Sequence, residues 1–294
     1  MRNRTLATWL AAISLALAWC VVAQAATSSE DGDRARLRLL DPDVDVTTRR
    51  ALFAQAEAEA VANPDPRRLY VLGSLYRRGD SAREPAFAKD LDKAREYLSR
   101  AALAGLLPAM AKMSVLELDA GNRFEANVWA QLYYHYWKDV PRAGERWSDG
   151  FAASLIAKAQ YTFDEAQMPA LNDSVGLMVR NYDAKIRAGI EARAKALGEA
   201  TLQPTRKDSR VLPETMGRRP EAGVAEFYVS FDARGEVKDV WLLDAWPDAA
   251  LARVLRPIAM SYHVDPVGVS KDPDAIALLP IEYNDLRNRV RKQD

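Results

Sequence analysis

The stretch from Leu69 to Gly105 most narrows what this chain can fold into. Leu69, Leu72, Leu75 and Tyr76 recur every three or four residues, so they share one helical face. Ala94, Tyr97, Leu98, Ala101 and Ala102 do the same on a second segment. The small residues permit two helices to pack closely, and Gly79 and Gly105 stand where C-cap glycines end helices. The pattern predicts an αα-hairpin. Such a hairpin cannot bury both faces alone, so it requires neighbours.

The neighbours follow in sequence. Pro108 to Asp119 reads as a helix with Met110, Met113, Leu116 and Leu118 apolar, and Gly121-Asn122 as a turn. Phe124 to about Asp139 reads as a second helix, carrying Ala126, Trp129, Leu132, Tyr133, Tyr136 and Trp137. Gly79 aligns with Gly121, and Ala94-Tyr97 with Ala126-Trp129. One order of helix, glycine, helix and aromatic thus occurs twice, the first copy enlarged by a loop over Asp80 to Lys89. Such self-similarity predicts an α-helical repeat domain, an αα-hairpin solenoid, over residues 47–200. Upstream, Thr47 or Thr48 caps a helix that Asn63-Pro64-Asp65-Pro66 stops, because proline disfavours helix at the residue before it. Downstream helices are expected at about Glu145 to Tyr161, Thr162 to Met168, Val175 to Ile186 and Arg187 to Ala200, as further copies or a helical cap.

The N-terminus has another purpose. Arg2 and Arg4 precede an uncharged apolar run from Leu6 to Val22, and Ala23-Gln24-Ala25 follows. A basic head, an apolar middle and an A-x-A tripeptide predict a secretory signal peptide over residues 1–25, cut between Ala25 and Ala26. The alternative is a retained single anchor in the inner membrane. Cleavage would leave 39 basic against 41 acidic residues and remove Cys20, the only cysteine, so disulfides and thiol chemistry fall away together. Near-balanced charge gives no reason to expect a nucleic-acid partner. Residues 26–46 are polar and acidic, and are expected to be disordered. Their Asp41-Pro42-Asp43-Val44-Asp45 lacks the glycine and later glutamate of a calcium loop.

Beyond Thr201 prolines and charges replace the helical pattern, and residues 201–210 read as a linker. Ala225 to Phe231 alternates, with Phe227, Val229 and Phe231 on one face and Glu226, Tyr228 and Ser230 on the other. Asp232 to Gly235 is a hairpin turn and Val237 to Leu243 a second strand. A helix opens at Pro247-Asp248 with Leu251, Val254, Leu255 and Ile258 inward; Ala275 to Tyr283 is a last strand. This is a small α+β domain with an antiparallel sheet. Pro280 cannot donate a ladder hydrogen bond, so that strand is expected at an edge, where Ala277, Leu279, Ile281 and Tyr283 would receive a partner's extended peptide. A basic tail covers residues 285–294.

Two resemblances rest on these residues. Leu72-Gly73, Leu75-Tyr76, Gly79, Asp90, Lys93-Ala94, Tyr97, Ala101-Ala102 and Gly105 resemble the Sel-one-like repeat, a cousin of the tetratricopeptide repeat. The second copy is degenerate, with Tyr133-Tyr134 at the alanine pair. The likeness implies a scaffold that binds proteins or peptides and no chemistry. Val229-Ser230-Phe231, Asp232, Gly235, Val237 to Val240, Ala249-Ala250-Leu251, His263 to Pro266 and Leu279 to Tyr283 resemble the C-terminal domain of TonB proteins, over residues 211–284. That likeness implies contact with outer-membrane transporters. The long proline-rich arm of TonB proteins is absent, and a helical region stands in its place.

No catalytic pattern emerges. His135 and His263, the only histidines, have no ligand-spaced neighbours, so neither a metal site nor a cofactor is expected. Trp129, Tyr133 and Trp137 read either as a core seam or as a partly exposed aromatic groove for a peptide or glycan. The sequence thus predicts a periplasmic, non-enzymatic protein whose partner is an envelope protein or peptide. The alternative is a TonB-like accessory or transducer at an outer-membrane transporter, with membrane contact only if the N-terminal segment is retained.

Overall fold

The computed structural model describes residues 34–138, 149–161, 163–200, 202–206, 221–269 and 275–283. The expected cleavage at Ala25–Ala26, the basic tail and most of the 201–220 segment lie outside them. The architecture is a mostly helical unit followed by a small antiparallel sheet with its own helix.

Residues 34–40 form α1, with Leu39 and Leu40 buried, so the acidic N-terminal segment is folded from there onward and not disordered throughout. Helix α2 spans Val46–Ala62 and is capped by Asp45, whose carboxylate accepts from the Thr48 amide; the threonines expected as caps lie inside the first turn. Helix α3 (Pro66–Arg78) opens with the Asp65 cap and proline in its first turn. Helix α4 (Leu91–Leu103) is capped by Asp90. Helices α5 (Leu107–Asp119) and α6 (Arg123–Trp137) form the second hairpin, and α7 (Asp149–Gln160) packs on both. Val175 to Ala200 is not two helices. One helix, α8, runs from Met168 to Gly198, because no proline interrupts it after its first turn.

Small residues set the approach of these helices. A Cβ on Gly73 would sit 2.6 Å from Leu98 Cγ, so glycine lets α3 and α4 close up. A Cβ on Gly189 would sit 2.0 Å from the Ala104 carbonyl oxygen, which puts the α4–α5 turn directly against the α8 backbone. The inserted loop is pinned at both ends. Phe87 stacks on Phe53 at 4.9 Å, and Asp80 takes Arg49 at 3.0 Å.

Strands β2 (Gly223–Phe231), β3 (Val237–Trp246) and β5 (Ile276–Tyr283) form an antiparallel sheet in the order β3-β2-β5. Two short strands, β1 (Thr205–Arg206) and β4 (Tyr262–His263), pair beside it. Helix α9 (Leu251–Ala259) covers one face: Phe227, Val229, Phe231, Leu279 and Ile281 join Leu251, Val254 and Leu255 there in one core. The short helix α10 is Pro266–Val269. The opposite face, which alternation assigned to polar residues, is buried against the helical unit. Val224, Tyr228, Leu243 and Trp246 share a core with residues of α3 to α7.

Candidate functional site: a buried ionic seam and two unequal sheet edges

The face of the sheet toward the helices carries two carboxylates directly across from one another, Glu226 on β2 and Asp244 on β3. Like charges so placed repel, and burial magnifies the penalty. A one-residue irregularity after Glu226 leaves Leu243 unpaired, so that Leu243 and Asp244 both serve the helix-facing side. The helices supply two cations. Lys112, in the middle of α5 and fully buried, lies 2.5 Å from Glu226 and 3.1 Å from Asp244, and donates to Ser74 Oγ at 2.6 Å. Arg77, near the end of α3, holds Asp244 bidentately through Nε at 2.9 Å and Nη2 at 2.6 Å. The Tyr70 hydroxyl donates to Glu226, and the Lys112 ammonium sits 4.3 Å from the Tyr70 ring centroid.

Two positive and two negative charges therefore meet in the interior, and only the outer nitrogen of Arg77 reaches toward the half-exposed Asp119, at 3.7 Å. Burial pushes the Asp244 carboxyl up, but Arg77 and Lys112 outweigh it and hold the group below the usual aspartate range. Burial lowers the Arg77 guanidinium, and Asp244 more than offsets that. Ser74 and Lys112 have the residue types of a nucleophile and its base, but both are wholly buried, and Ser74 donates to the Tyr70 carbonyl. The cluster is a seam that holds the sheet on the helices.

The two edges of the sheet differ. The Phe231 amide donates to the Ala275 carbonyl directly opposite, which fixes the alternation along β5. Ala277, Leu279, Ile281 and Tyr283 spend their backbone groups on β2, and Leu279 and Ile281 are buried on the α9 side. They are not the partner-facing positions expected from sequence. The outward backbone groups belong to Ile276, Leu278, Pro280 and Glu282. Pro280 falls at an outward position, so its missing N–H removes no bond to β2. No bond outside the sheet reaches Ile276 or Leu278 among the described residues.

At the other edge three arginines accept the role of a missing strand. Arg256 of α9 donates to the Val240 carbonyl at 2.9 Å, Arg78 to Leu242 at 2.8 Å, and Arg77 to Ala245 at 2.8 Å. These carbonyls alternate and, across the irregularity, all point away from β2. Among the described residues, edge β3 is closed by side chains and edge β5 is open.

The aromatic groove is absent as drawn. Trp129, Tyr133 and Trp137 are all buried, because their i, i+4, i+8 stripe faces the neighbouring helices. Tyr134, on the adjacent stripe, is the exposed ring, at 43%. His135 is half-buried on α6, and His263 on β4 lies with Nε2 3.4 Å from Thr205 Oγ1. No cluster of three potential metal ligands occurs among the described residues, and no described helix is long and apolar enough to cross a membrane.

The ionic seam carries a sequence signal that periodicity does not single out: Lys112 interrupts the apolar first turns of α5, and Asp244 lies among hydrophobic strand residues. Both signals were available. No protein-family model, curated protein or solved structure matches this chain.

Proposed function

We propose that this protein is an interaction module of the bacterial cell envelope, with no chemistry of its own, that captures an extended segment of an envelope protein by strand addition at β5. The helical unit is a scaffold that fixes the sheet, and the open edge is the working surface. The observation that carries this reading is the asymmetry of the edges: three arginines occupy the carbonyls of Val240, Leu242 and Ala245 on β3, while among the described residues nothing takes those of Ile276 and Leu278. The likeness to Sel-one-like repeats and to the TonB C-terminal domain supports an interaction role, and the signal-like N-terminus supports a periplasmic place for it.

A Leu278→Pro variant tests the edge. It deletes an outward N–H that β2 does not use, as Pro280 already does two residues on. A partner recovered from envelope extract by the wild type and lost with Leu278→Pro, at unchanged helical signal, supports the reading. An identical set of captured proteins for both overturns strand addition. N-terminal sequencing of the protein from its native host separates a free protein from an anchored one, and a mature chain beginning at Ala26 supports the free form.

A further inference from the structure

One concave surface lies away from both the sheet and the seam. Gln131, Tyr134 and His135 on α6 and Lys138 at its C-cap fall at i, i+3, i+4 and i+7, a single stripe. Asn172 and Val175 face them from the first turns of α8. Together they line an open hollow of about 250 Å³, a volume that suits a single sugar ring better than a folded partner.

Its lining is unusual for a seam between helices. No protein group among the described residues bonds to the side chains of Gln131, His135, Lys138 or Asn172. Two side-chain amides, each both donor and acceptor, an imidazole and an ammonium are thus unspent around one space. Tyr134 is held there by the buried Trp137, with ring centroids 6.0 Å apart and planes 22° from parallel. A phenol ring supported in this way is a platform rather than a swinging side chain. Among the described residues no carboxylate lines the hollow to neutralise Lys138.

We propose that this hollow binds a sugar ring that carries a carboxylate. The ring's C–H face lies on Tyr134, the amides of Gln131 and Asn172 take neighbouring hydroxyls, and Lys138 meets the acid. The chemistry is independent of the strand-addition reading and stands or falls separately from it.

Glucuronate, glucose and acetate titrated into the full chain, by calorimetry or ligand-observed NMR, test it. Glucuronate is expected to bind saturably, with a dissociation constant on the order of 1 mM, glucose several-fold more weakly, and acetate not at all. Tyr134→Ala should weaken glucuronate by roughly tenfold. Lys138→Gln should erase the preference for glucuronate over glucose and leave glucose binding intact. Both side chains are exposed, so circular dichroism of each variant should match the wild type. No saturable glucuronate binding, equal binding of acetate, or binding indifferent to Tyr134→Ala would each overturn the proposal.

Discussion

The two faces of the sheet are held by opposite means. Toward α9 the contact is apolar, with Phe227, Val229, Phe231, Leu279 and Ile281 against Leu251, Val254 and Leu255. Toward the helical unit an apolar rim surrounds four buried charges and a tyrosine. An apolar face scales with area and tolerates small shifts. An ionic seam tolerates none, since each charge is acceptable only while its partner is in place. The difference suggests a division of labour. Area on one side gives the small domain its own core, and charge on the other fixes where that domain sits on the helices.

Removing one charge is the harshest test of this contrast. Lys112→Met leaves Glu226 without its nearest cation and Asp244 with Arg77 alone, and should cost about 3–5 kcal/mol in urea or thermal unfolding. Adding Glu226→Leu to Lys112→Met removes the stranded anion as well. That double variant should be more stable than Lys112→Met. If both proteins unfold together, the seam is not a charge pair in the energetic sense. On the apolar face, Leu255→Ala should cost about 2–4 kcal/mol through lost burial and a cavity. Its effect should add to that of Lys112→Met, because the two sites lie on opposite sides of the sheet.

How much of this was legible beforehand follows the same division. The hairpins around Gly79 and Gly121 and the strand, turn, strand, helix, strand order were written in local periodicity and turn residues, which depend on near neighbours. The docking of the sheet on the helices was not. Ala225 to Phe231 alternates well enough to predict a strand with one wet face, and only the helical unit explains why Tyr228 and Trp246 sit on the other. Glu226 looked like a surface residue because a carboxylate in a strand usually is one. Its cation lies 114 positions away, on α5. The edge positions failed for a smaller reason: strand alternation was visible, but which alternate set faces outward depends on the register with β2. The aromatic stripe of α6 forms a seam, and Tyr134 stands exposed on the adjacent stripe.

Acid provides a milder probe of the seam. Asp244 has a folded-state pKa below that of an unfolded aspartate, near 3.9. A depressed pKa contributes stability that is complete above that unfolded value and is lost as pH falls through the folded one. Asp80, held down by the Ala86 and Ala82 amides and by Arg49 against the opposing effect of its burial, has the same sign. Thermal stability should therefore be level from neutral pH down to about pH 4 as far as these two groups are concerned, and fall below it. Asp244→Asn should flatten part of that fall while lowering stability at neutral pH. A fall of unchanged size in Asp244→Asn would assign the acid response to other carboxylates.

The smallest expected effect bears on the edges rather than the faces. Arg256 reaches from the exposed side of α9 to the outward carbonyl of Val240, and nothing else in the described structure caps that oxygen. Because the carbonyl stands at an edge, water can replace the guanidinium, so Arg256→Ala should cost only about 0.5–1.5 kcal/mol. The rest of α9 keeps its buried stripe of Leu251, Val254, Leu255 and Ile258. A loss above about 3 kcal/mol would exceed one exposed hydrogen bond, and would mean that α9 depends on this edge contact as well as on its apolar face. The same variant reads the edge asymmetry. With Arg77 and Arg78 still on Ala245 and Leu242, one freed carbonyl gives an incoming strand too short a register, and the protein should stay as it was by size-exclusion chromatography. New self-association from this single change would show that edge β3 is only narrowly closed, and that its arginines, more than its packing, keep β5 the sole open edge among the described strands of that sheet.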